Sequence, residues 1–171
     1  MFESMLLIAV GMAIIAGAVY DATTLTIPNW ISLVLLALFP VLAISAGLSW
    51  AEAGIHVAVG LAALIAGIAL FAGGFIGGGD AKLFAAVSLY IGATWFGMYV
   101  FAVALAGGLL ACVLMAIRWL AAYGAGAYLS WLQHLAKRDV GIPYGVAIAA
   151  GALVVLPGTQ LFIAAGQWTH E

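Results

Sequence analysis

The sequence predicts an all-α polytopic membrane protein, on the basis of its composition and of the pattern of its apolar residues. Of the 171 residues, 68% are hydrophobic and only 6% are charged, whereas about a quarter of the residues of a soluble domain are charged. The apolar residues fall in runs bounded by charges, prolines or glycine clusters. Because a helix needs about 20 apolar residues to cross a bilayer core, we predict a single membrane domain over residues 1–171 with six transmembrane helices.

The first three predicted spans cover residues 5–22, 30–48 and 56–75. The first lacks the basic region that precedes a cleaved signal peptide, so we interpret it as a permanent span. The second opens at Ile27-Pro28-Asn29, where Pro28 suits a first helical turn because it has no N–H to leave unsatisfied. The third stops at the run Gly77-Gly78-Gly79-Asp80.

The other three predicted spans cover residues 80–92, 95–117 and 143–165. The fourth is too short to cross the bilayer alone, and a turn is expected between Gly92 and Trp95. In the connection 118–142, residues 128–138 have one apolar and one polar face. That pattern is typical of a helix on the lipid headgroups and equally of a helix that caps the bundle.

The few cations orient the predicted helices. With six spans, all four cations fall on one side, which the excess of Lys and Arg in cytoplasmic loops identifies as cytoplasmic: Lys82, Arg118, Lys137 and Arg138. The opposite side receives Glu3, Glu52, His170 and Glu171. Both termini are therefore predicted outside, and Asp21, Asp80 and Asp139 on the cytoplasmic side.

Charge and cysteine content exclude several kinds of site. Four Lys and Arg against six Asp and Glu provide no basic surface for nucleic acid. The single cysteine, Cys112, excludes an internal disulfide and a four-cysteine zinc site. The three histidines lack ligand spacing, so no metal and no cofactor is expected.

Two aspartates are candidates for chemistry because of where they lie. Asp21 follows sixteen apolar residues, and Asp80 opens a span after three glycines. An aspartate at the centre of a membrane helix costs about 2.5 to 3.5 kcal/mol, so an acid in or at the edge of a span indicates function. A simpler interpretation exists for each acid. Asp80 could be a helix N-cap, with its carboxylate accepting a hydrogen bond from the Lys82 or Leu83 N–H. Asp21 could be an interfacial residue that ends its span.

The two acids together are more informative than either alone. They are the only acids at span ends, they lie on the same predicted side, and no basic residue within a helical turn accompanies Asp21. Two carboxylates that share one proton are the working groups of an aspartic protease: one takes a proton from the attacking water, and the other donates a proton to the developing oxyanion. The preceding glycines, Gly77 to Gly79, would let an extended backbone approach Asp80 closely.

These residues resemble a known family. Gly77-Gly78-Gly79-Asp80 matches the GxGD motif of membrane aspartyl proteases, and its continuation Ala81-Lys82-Leu83 is similar to the type IV prepilin leader peptidases. Asp21 at the end of the first span and Ile27-Pro28-Asn29 at the start of the second extend the resemblance over essentially the whole chain. Pro143-Tyr144-Gly145 is similar to the family's Pro-[Tyr/Phe]-Gly element. The alternative interpretation of these residues is a helix that starts at a proline and packs through a glycine.

The resemblance implies an aspartic endopeptidase of the bacterial inner membrane. Asp21 and Asp80 would be catalytic, and substrate binding or support would come from the motif residues Gly77, Gly78, Gly79, Lys82, Pro28, Asn29, Pro143, Tyr144 and Gly145. The enzyme would remove the short basic leader of a prepilin at the cytoplasmic membrane face, just before the apolar helix, and pilus assembly proteins are possible further partners. Larger members have an N-terminal segment with cysteine pairs and methyltransferase activity. This chain is instead similar to the short, peptidase-only forms of tight-adherence (Flp-type) pili.

Two other functions fit the same aspartates. A signal-peptide-peptidase-like protease would also have Tyr20-Asp21 and GxGD, but such relatives carry Pro-Ala-Leu late in the chain where this sequence has Pro143-Tyr144-Gly145. A small proton-coupled transporter would use the acids as ion sites. Transporters often have repeated halves and midplane sites, and neither is evident in the sequence.

Overall fold

A computed structural model describes residues 2–122 and 141–167, and the regular structure in those residues is entirely helical. The elements, in chain order, are α1 (Phe2–Thr24), α2 (Asn29–Ser45), α3 (Trp50–Ala72), α4 (Gly78–Ala122), α5 (Tyr144–Val155), a 3-10 turn (Leu156–Gly158) and α6 (Gln160–Gln167). The all-α prediction is confirmed for the described residues.

Length and hydropathy identify the membrane-crossing candidates. Within the described residues, α1, α3 and the long segment from Gly78 to Leu120 are each long and apolar enough to cross a membrane, and α2 and Tyr144–Gly158 are shorter apolar helices. Many large apolar side chains on the outer faces of the helices are exposed, among them Ile8, Leu61, Ile65, Leu105 and Leu109. Water does not favour such a surface and lipid does, so the chain is an integral membrane protein. The count of six spans stays a prediction.

The long helix α4 is broken at Gly92. Its φ of 68° and ψ of 175° are not helical, and a positive φ of this size is readily adopted only by glycine. The break separates a first arm, residues 78–91, from a second arm, residues 93–122. This is where the sequence predicts a turn, although the turn is confined to one residue because Ala93 resumes the helix at once.

The first arm runs antiparallel to α3. Gly67 of α3 lies against Ala81, where an added Cβ would be 3.0 Å from the Ala81 Cβ, and Gly60 lies against Leu89. Small residues at these crossings let the two backbones approach closely. The first arm is also the centre of the bundle, since Leu83, Val87, Tyr90 and Ile91 of this arm are fully buried.

The second arm runs antiparallel to α5 and returns toward the start of α4. Trp95 lies beside Gly158, beyond the end of α5, while Val103 lies beside Gly151 and Gly107 beside Tyr144, at the start of α5. The chain therefore reverses its direction at Gly92, and the starts of α4 and α5 lie at the same end of the bundle.

Local chemistry explains why some helix boundaries differ from the predicted ones. α3 begins at Trp50, six residues before the predicted 56, because Ser49 and Glu52 form a capping box. It ends at Ala72, followed by Gly74 at a φ of 74°, which is three residues before the predicted end at 75. α2 begins at Asn29, one residue before the predicted 30, with Pro28 as its N-cap, and it ends at Ser45 instead of 48.

The last predicted span, 143–165, is not one continuous helix. α5 has only 12 residues, and the 3-10 turn that follows contains Pro157. Proline lacks the N–H that continues a helix and its ring clashes with the preceding turn, so the segment changes direction before α6. The predicted amphipathic helix at 128–138, with Lys137, Arg138 and Asp139, lies outside the described residues, as do His170 and Glu171.

Candidate active site

Asp21 lies in the last turn of α1 and is buried, with 4% of its surface exposed. A carboxylate at the carboxyl end of a helix is unfavourable with respect to the dipole of that helix. The structure compensates with a donor from elsewhere: the Gly145 N–H, in the first turn of α5, donates a 2.6 Å hydrogen bond to Asp21 Oδ2. Asp21 is thus bound to the amino end of a second helix, where negative charge is stabilised.

Asp80 lies in the first turn of α4 and is equally buried, with 7% exposed. Its Oδ2 accepts a hydrogen bond from the Gly77 N–H at 3.0 Å, and the Gly77 carbonyl accepts the first helical bond from the Ala81 N–H. This is the backward half of a capping box, in which the third helical residue reaches the N-cap N–H. The predicted N-cap alternative, with bonds from Lys82 or Leu83, is therefore wrong in its donors.

The two aspartates meet at the start of α5. The Asp80 carboxylate is close enough to Asp21 and to Gly145 for electrostatic interaction with both, while the hydrogen bond of the Gly145 N–H is to Asp21. Three segments that are distant in sequence, around residues 21, 80 and 145, therefore lie close together. The amino ends of α4 and α5 both face the acids, which favours negative charge there.

The two oxygens of Asp80 are held differently. Oδ2 is bound to Gly77, while Oδ1 is buried and has no hydrogen-bond partner among the described residues. An unsatisfied buried acceptor costs about 1–3 kcal/mol, and such groups in native proteins call for an explanation. A sufficient explanation is that Asp80 Oδ1 binds a water molecule or a substrate group during the reaction.

Ile27 packs between the segments that carry the acids. A Cβ added at Gly79 would lie 3.0 Å from the Ile27 Cβ, and one added at Gly145 would lie 2.9 Å from the Ile27 Cδ1. Any larger side chain at either glycine would separate the starts of α4 and α5 from the α1–α2 connection. Gly79 and Gly145 therefore have a steric role at the aspartate pair.

The other predicted support residues lie around this centre. Lys82 Nζ donates to Asn29 Oδ1 at 2.9 Å, which joins the starts of α4 and α2, and Pro28 is the N-cap of α2. Pro143 is the N-cap of α5, and the Tyr144 ring lies beside Gly107 of the second arm.

Gly77 and Gly78 differ in their contacts. A Cβ at Gly77 would lie 2.8 Å from Asp80 Oδ2, whereas one at Gly78 would be in ordinary contact with the Phe71 ring at 3.4 Å. Only the first of these two glycines is required by close approach to the acid.

Two residues of the site were missed by sequence reasoning. Ile27 was considered only as part of the motif Ile27-Pro28-Asn29, and its apolar character within a polar connection was the signal for its packing role. Ser32 was not considered. It lies one turn after Asn29, it is buried, and its hydroxyl has no partner among the described residues. A lone serine in an apolar helix gives no clear signal in a sequence.

Metal binding has no support in this region. In residues 2–122 and 141–167, no three His, Cys, Asp or Glu side chains are grouped as metal ligands.

The fold and the site together define a helical membrane protein with a buried pair of aspartates at one end of its bundle. Residues 7–117 match the model of the type IV leader peptidase family, and since the match covers more than half of the chain, the protein belongs to that family. It is a peptidase. No curated protein and no solved structure matches the chain significantly. The matched region contains both aspartates and the Gly77 to Gly79 run, while Gly145 lies beyond it.

Proposed function

We propose that the protein is an aspartic endopeptidase that removes the short basic leader of a prepilin at the cytoplasmic face of the membrane, with Asp21 and Asp80 as the catalytic pair. The observation that carries the proposal is that both carboxylates are buried near the start of α5 and in electrostatic contact, with Asp21 hydrogen-bonded to the Gly145 N–H. A pair of buried carboxylates in electrostatic contact favours a state in which they share one proton.

The chemistry needs one ionised and one protonated carboxyl group. The ionised group takes a proton from a water molecule, and the resulting hydroxide forms a bond with the scissile carbonyl carbon. The protonated group donates its proton to the carbonyl oxygen. The tetrahedral intermediate then collapses: the group that took the proton of the water gives it to the leaving nitrogen as the C–N bond breaks. A hydroxyl of the intermediate returns a proton to the other carboxylate as the carboxyl product forms, so the pair again holds one proton.

The structure supports unequal roles for the two groups. Asp21 Oδ2 already accepts a short hydrogen bond from Gly145, which stabilises its ionised form. Asp80 keeps Oδ1 without a partner among the described residues, so it has a free oxygen for a water or for the carbonyl. We assign Asp21 as the base and Asp80 as the acid in the first step.

The position of the pair suits a membrane-anchored substrate. Both acids lie at the ends of long apolar helices, at the end of the bundle that the predicted topology assigns to the cytoplasm. A prepilin held by its own apolar helix would present the residues just before that helix at this depth.

The test is cleavage of a matched prepilin by purified protein, with the cut located by mass spectrometry. Asp21→Asn and Asp80→Asn should each reduce the cleavage rate by at least about 10²-fold to 10⁴-fold, the usual contribution of a positioned acid or base. Glu52→Gln is the matched control, because it removes an exposed acid at the amino end of α3 and glutamine also suits the capping box. Wild-type rates in either aspartate variant would refute the assignment, and cleavage within the apolar helix would favour a signal-peptide-peptidase-like activity instead.

A further inference from the structure

A long apolar groove begins at Asn29 and Lys82, two residues along the helix from Asp80, and follows the first arm of α4. It lies between α2 and α3, both of which pack on α4, and its volume is about 1020 Å³. Lys82, Ala85, Ala86 and Leu89 of the first arm form its floor. These residues are spaced by three or four, so they share one face of the helix.

The walls of the groove are almost wholly apolar. α2 contributes a face that runs from Asn29 to Ile44, and α3 contributes a face that runs from Trp50 to Leu64. At 1.5 Å per residue, the walls are about 21 to 23 Å long. The groove can therefore accommodate about 14 residues of another helix, which is most of a membrane span.

The floor permits close approach of a second backbone. Ala85 and Ala86 carry only methyl groups, and on the α3 side Gly54 lines the groove with no atom within 4 Å of an added Cβ. Helices in membranes pack most closely where small residues meet, because packing and hydrogen bonding replace the hydrophobic effect as the driving force. A surface of this kind suits a helix better than an irregular chain, whose backbone groups would be unsatisfied in lipid.

The polar groups of the groove are concentrated at one end. Lys82 is its only charged lining residue among those described, and it is bound to Asn29 at the end nearest Asp80. One turn further along α2, Ser32 lines the groove with a buried hydroxyl that no described residue satisfies. A bound peptide that unwinds at the scissile bond has free N–H and C=O groups at this level, and Ser32 can bind one of them.

We propose that this groove binds the apolar helix of the prepilin substrate, with the first residues after the scissile bond at Asn29, Ser32 and Lys82. The inference rests on the proposed function and adds the surface that holds the helical part of the substrate. The charge order of the two molecules is complementary: a basic leader followed by an apolar helix meets a pair of acids followed by a groove that is apolar beyond Lys82. Ser32 and the groove walls are positioning residues, since none of them touches the reacting atoms.

The first test is cross-linking, which does not depend on cleavage. In a Cys112→Ser, Asp80→Asn protein, Leu61→Cys places a thiol in the groove, and Ile55→Cys places one on another face of α3. The two native side chains are equally exposed, at 55% and 52%, and only Leu61 lines the groove. With prepilins that carry single cysteines along the apolar helix, oxidation in membranes should join the substrate to residue 61 and not to residue 55.

The second test separates groove binding from chemistry. Leu61→Trp should reduce kcat/KM for the full prepilin by about tenfold or more, because it removes helix contacts made on binding, while Ile55→Trp should not. Neither substitution should affect a short peptide that ends a few residues after the scissile bond. Equal rates for the two variants on full prepilin, or equal cross-linking at both positions, would overturn the groove assignment and indicate that lipid fills it. Failure of the wild-type protein to cleave either substrate would instead refute the proposed function, while selective cross-linking at residue 61 would still support the groove.

Discussion

Substitution of Gly145 by alanine isolates the geometry of the aspartate pair from its chemistry. The change keeps the backbone N–H that binds Asp21 and removes no charged group. It adds one methyl group that would lie 2.9 Å from the Asp21 Cβ, from Asp21 Oδ2 and from the Ile27 Cδ1. Three atoms on two segments would have to move to accommodate it.

The size of the displacement follows from the distances. Ordinary van der Waals contact begins at 3.4 Å, so each neighbour at 2.9 Å must move by about 0.5 Å or more. Misplacement of a reacting group by about 1 Å can reduce a rate by roughly 10²-fold. We therefore expect Gly145→Ala to lower kcat/KM for prepilin cleavage by roughly 10- to 100-fold, less than the loss of a catalytic carboxylate.

The matched control is Gly108→Ala in the second arm of α4. No atom lies within 4 Å of a Cβ at that position, so alanine should leave the activity unchanged and stabilise the helix by up to about 1 kcal/mol. Activity is measured as initial cleavage rate per folded molecule, with the folded fraction taken from thermal unfolding in the same detergent. If Gly145→Ala cleaves prepilin within twofold of Gly108→Ala, the steric argument for the site is wrong.

Three further predictions concern the packing that holds the first arm of α4. Gly92→Ala should lower stability by at least about 1–2 kcal/mol, the strain of a side chain at positive φ, because its Cβ would also lie 2.7 Å from the His56 ring; thermal unfolding checks this. His56→Leu should lower the free energy of unfolding by about 1–3 kcal/mol, because it removes the hydrogen bond between His56 Nδ1 and the Leu89 carbonyl oxygen, which are 2.5 Å apart. The cleavage rate per folded molecule should stay unchanged. Tyr90→Phe should cost about 0.5–1.5 kcal/mol through loss of the hydroxyl bond to the Leu35 carbonyl, measured by the same unfolding assay.

The control for Gly92→Ala comes from the same helix. Gly97→Ala in the second arm has no atom within 4 Å of the added Cβ and no positive φ, so it should not be destabilised. Equal unfolding temperatures for Gly92→Ala and Gly97→Ala would contradict the strain argument. A His56→Leu or Tyr90→Phe protein as stable as wild type would mean that the carbonyl concerned finds another donor.

Several features of the fold follow from local sequence and were predicted on that basis. Apolar runs of bilayer length predict helices wherever backbone groups have no water to bind. Pro28 was predicted to mark a helix start because proline acts on its own backbone, whereas the third helix was predicted to stop at Gly77 to Gly79 and ends earlier, at Ala72. Gly92 was predicted as a turn because glycine also acts on its own backbone, and the structure confines the turn to that residue. The capping box of Ser49 and Glu52 has a local signature as well, and it was overlooked.

The residues of the candidate site could be predicted from short segments of the sequence, but their arrangement in space could not. Asp21 and Asp80 stand out in the sequence because charges are so few, and the family resemblance to type IV leader peptidases rests on the short motifs around them. Their meeting at Gly145 depends on the reversal at Gly92, which returns the second arm along α5 and brings the start of α5 to the start of α4. No single segment carries that information.

The sequence by itself determined that this chain lies in a membrane, where its helices run, and which two acids have no ordinary explanation. It did so because hydropathy, proline and glycine act over a few residues, and because an uncompensated charge in lipid is costly wherever it occurs. Only the tertiary structure decided which backbone N–H binds Asp21, that Asp80 keeps one free oxygen among the described residues, and that Ile27 packs between Gly79 and Gly145. These are contacts between distant segments, and they depend on how the helices pack, to within fractions of an ångström, and not on what each helix contains.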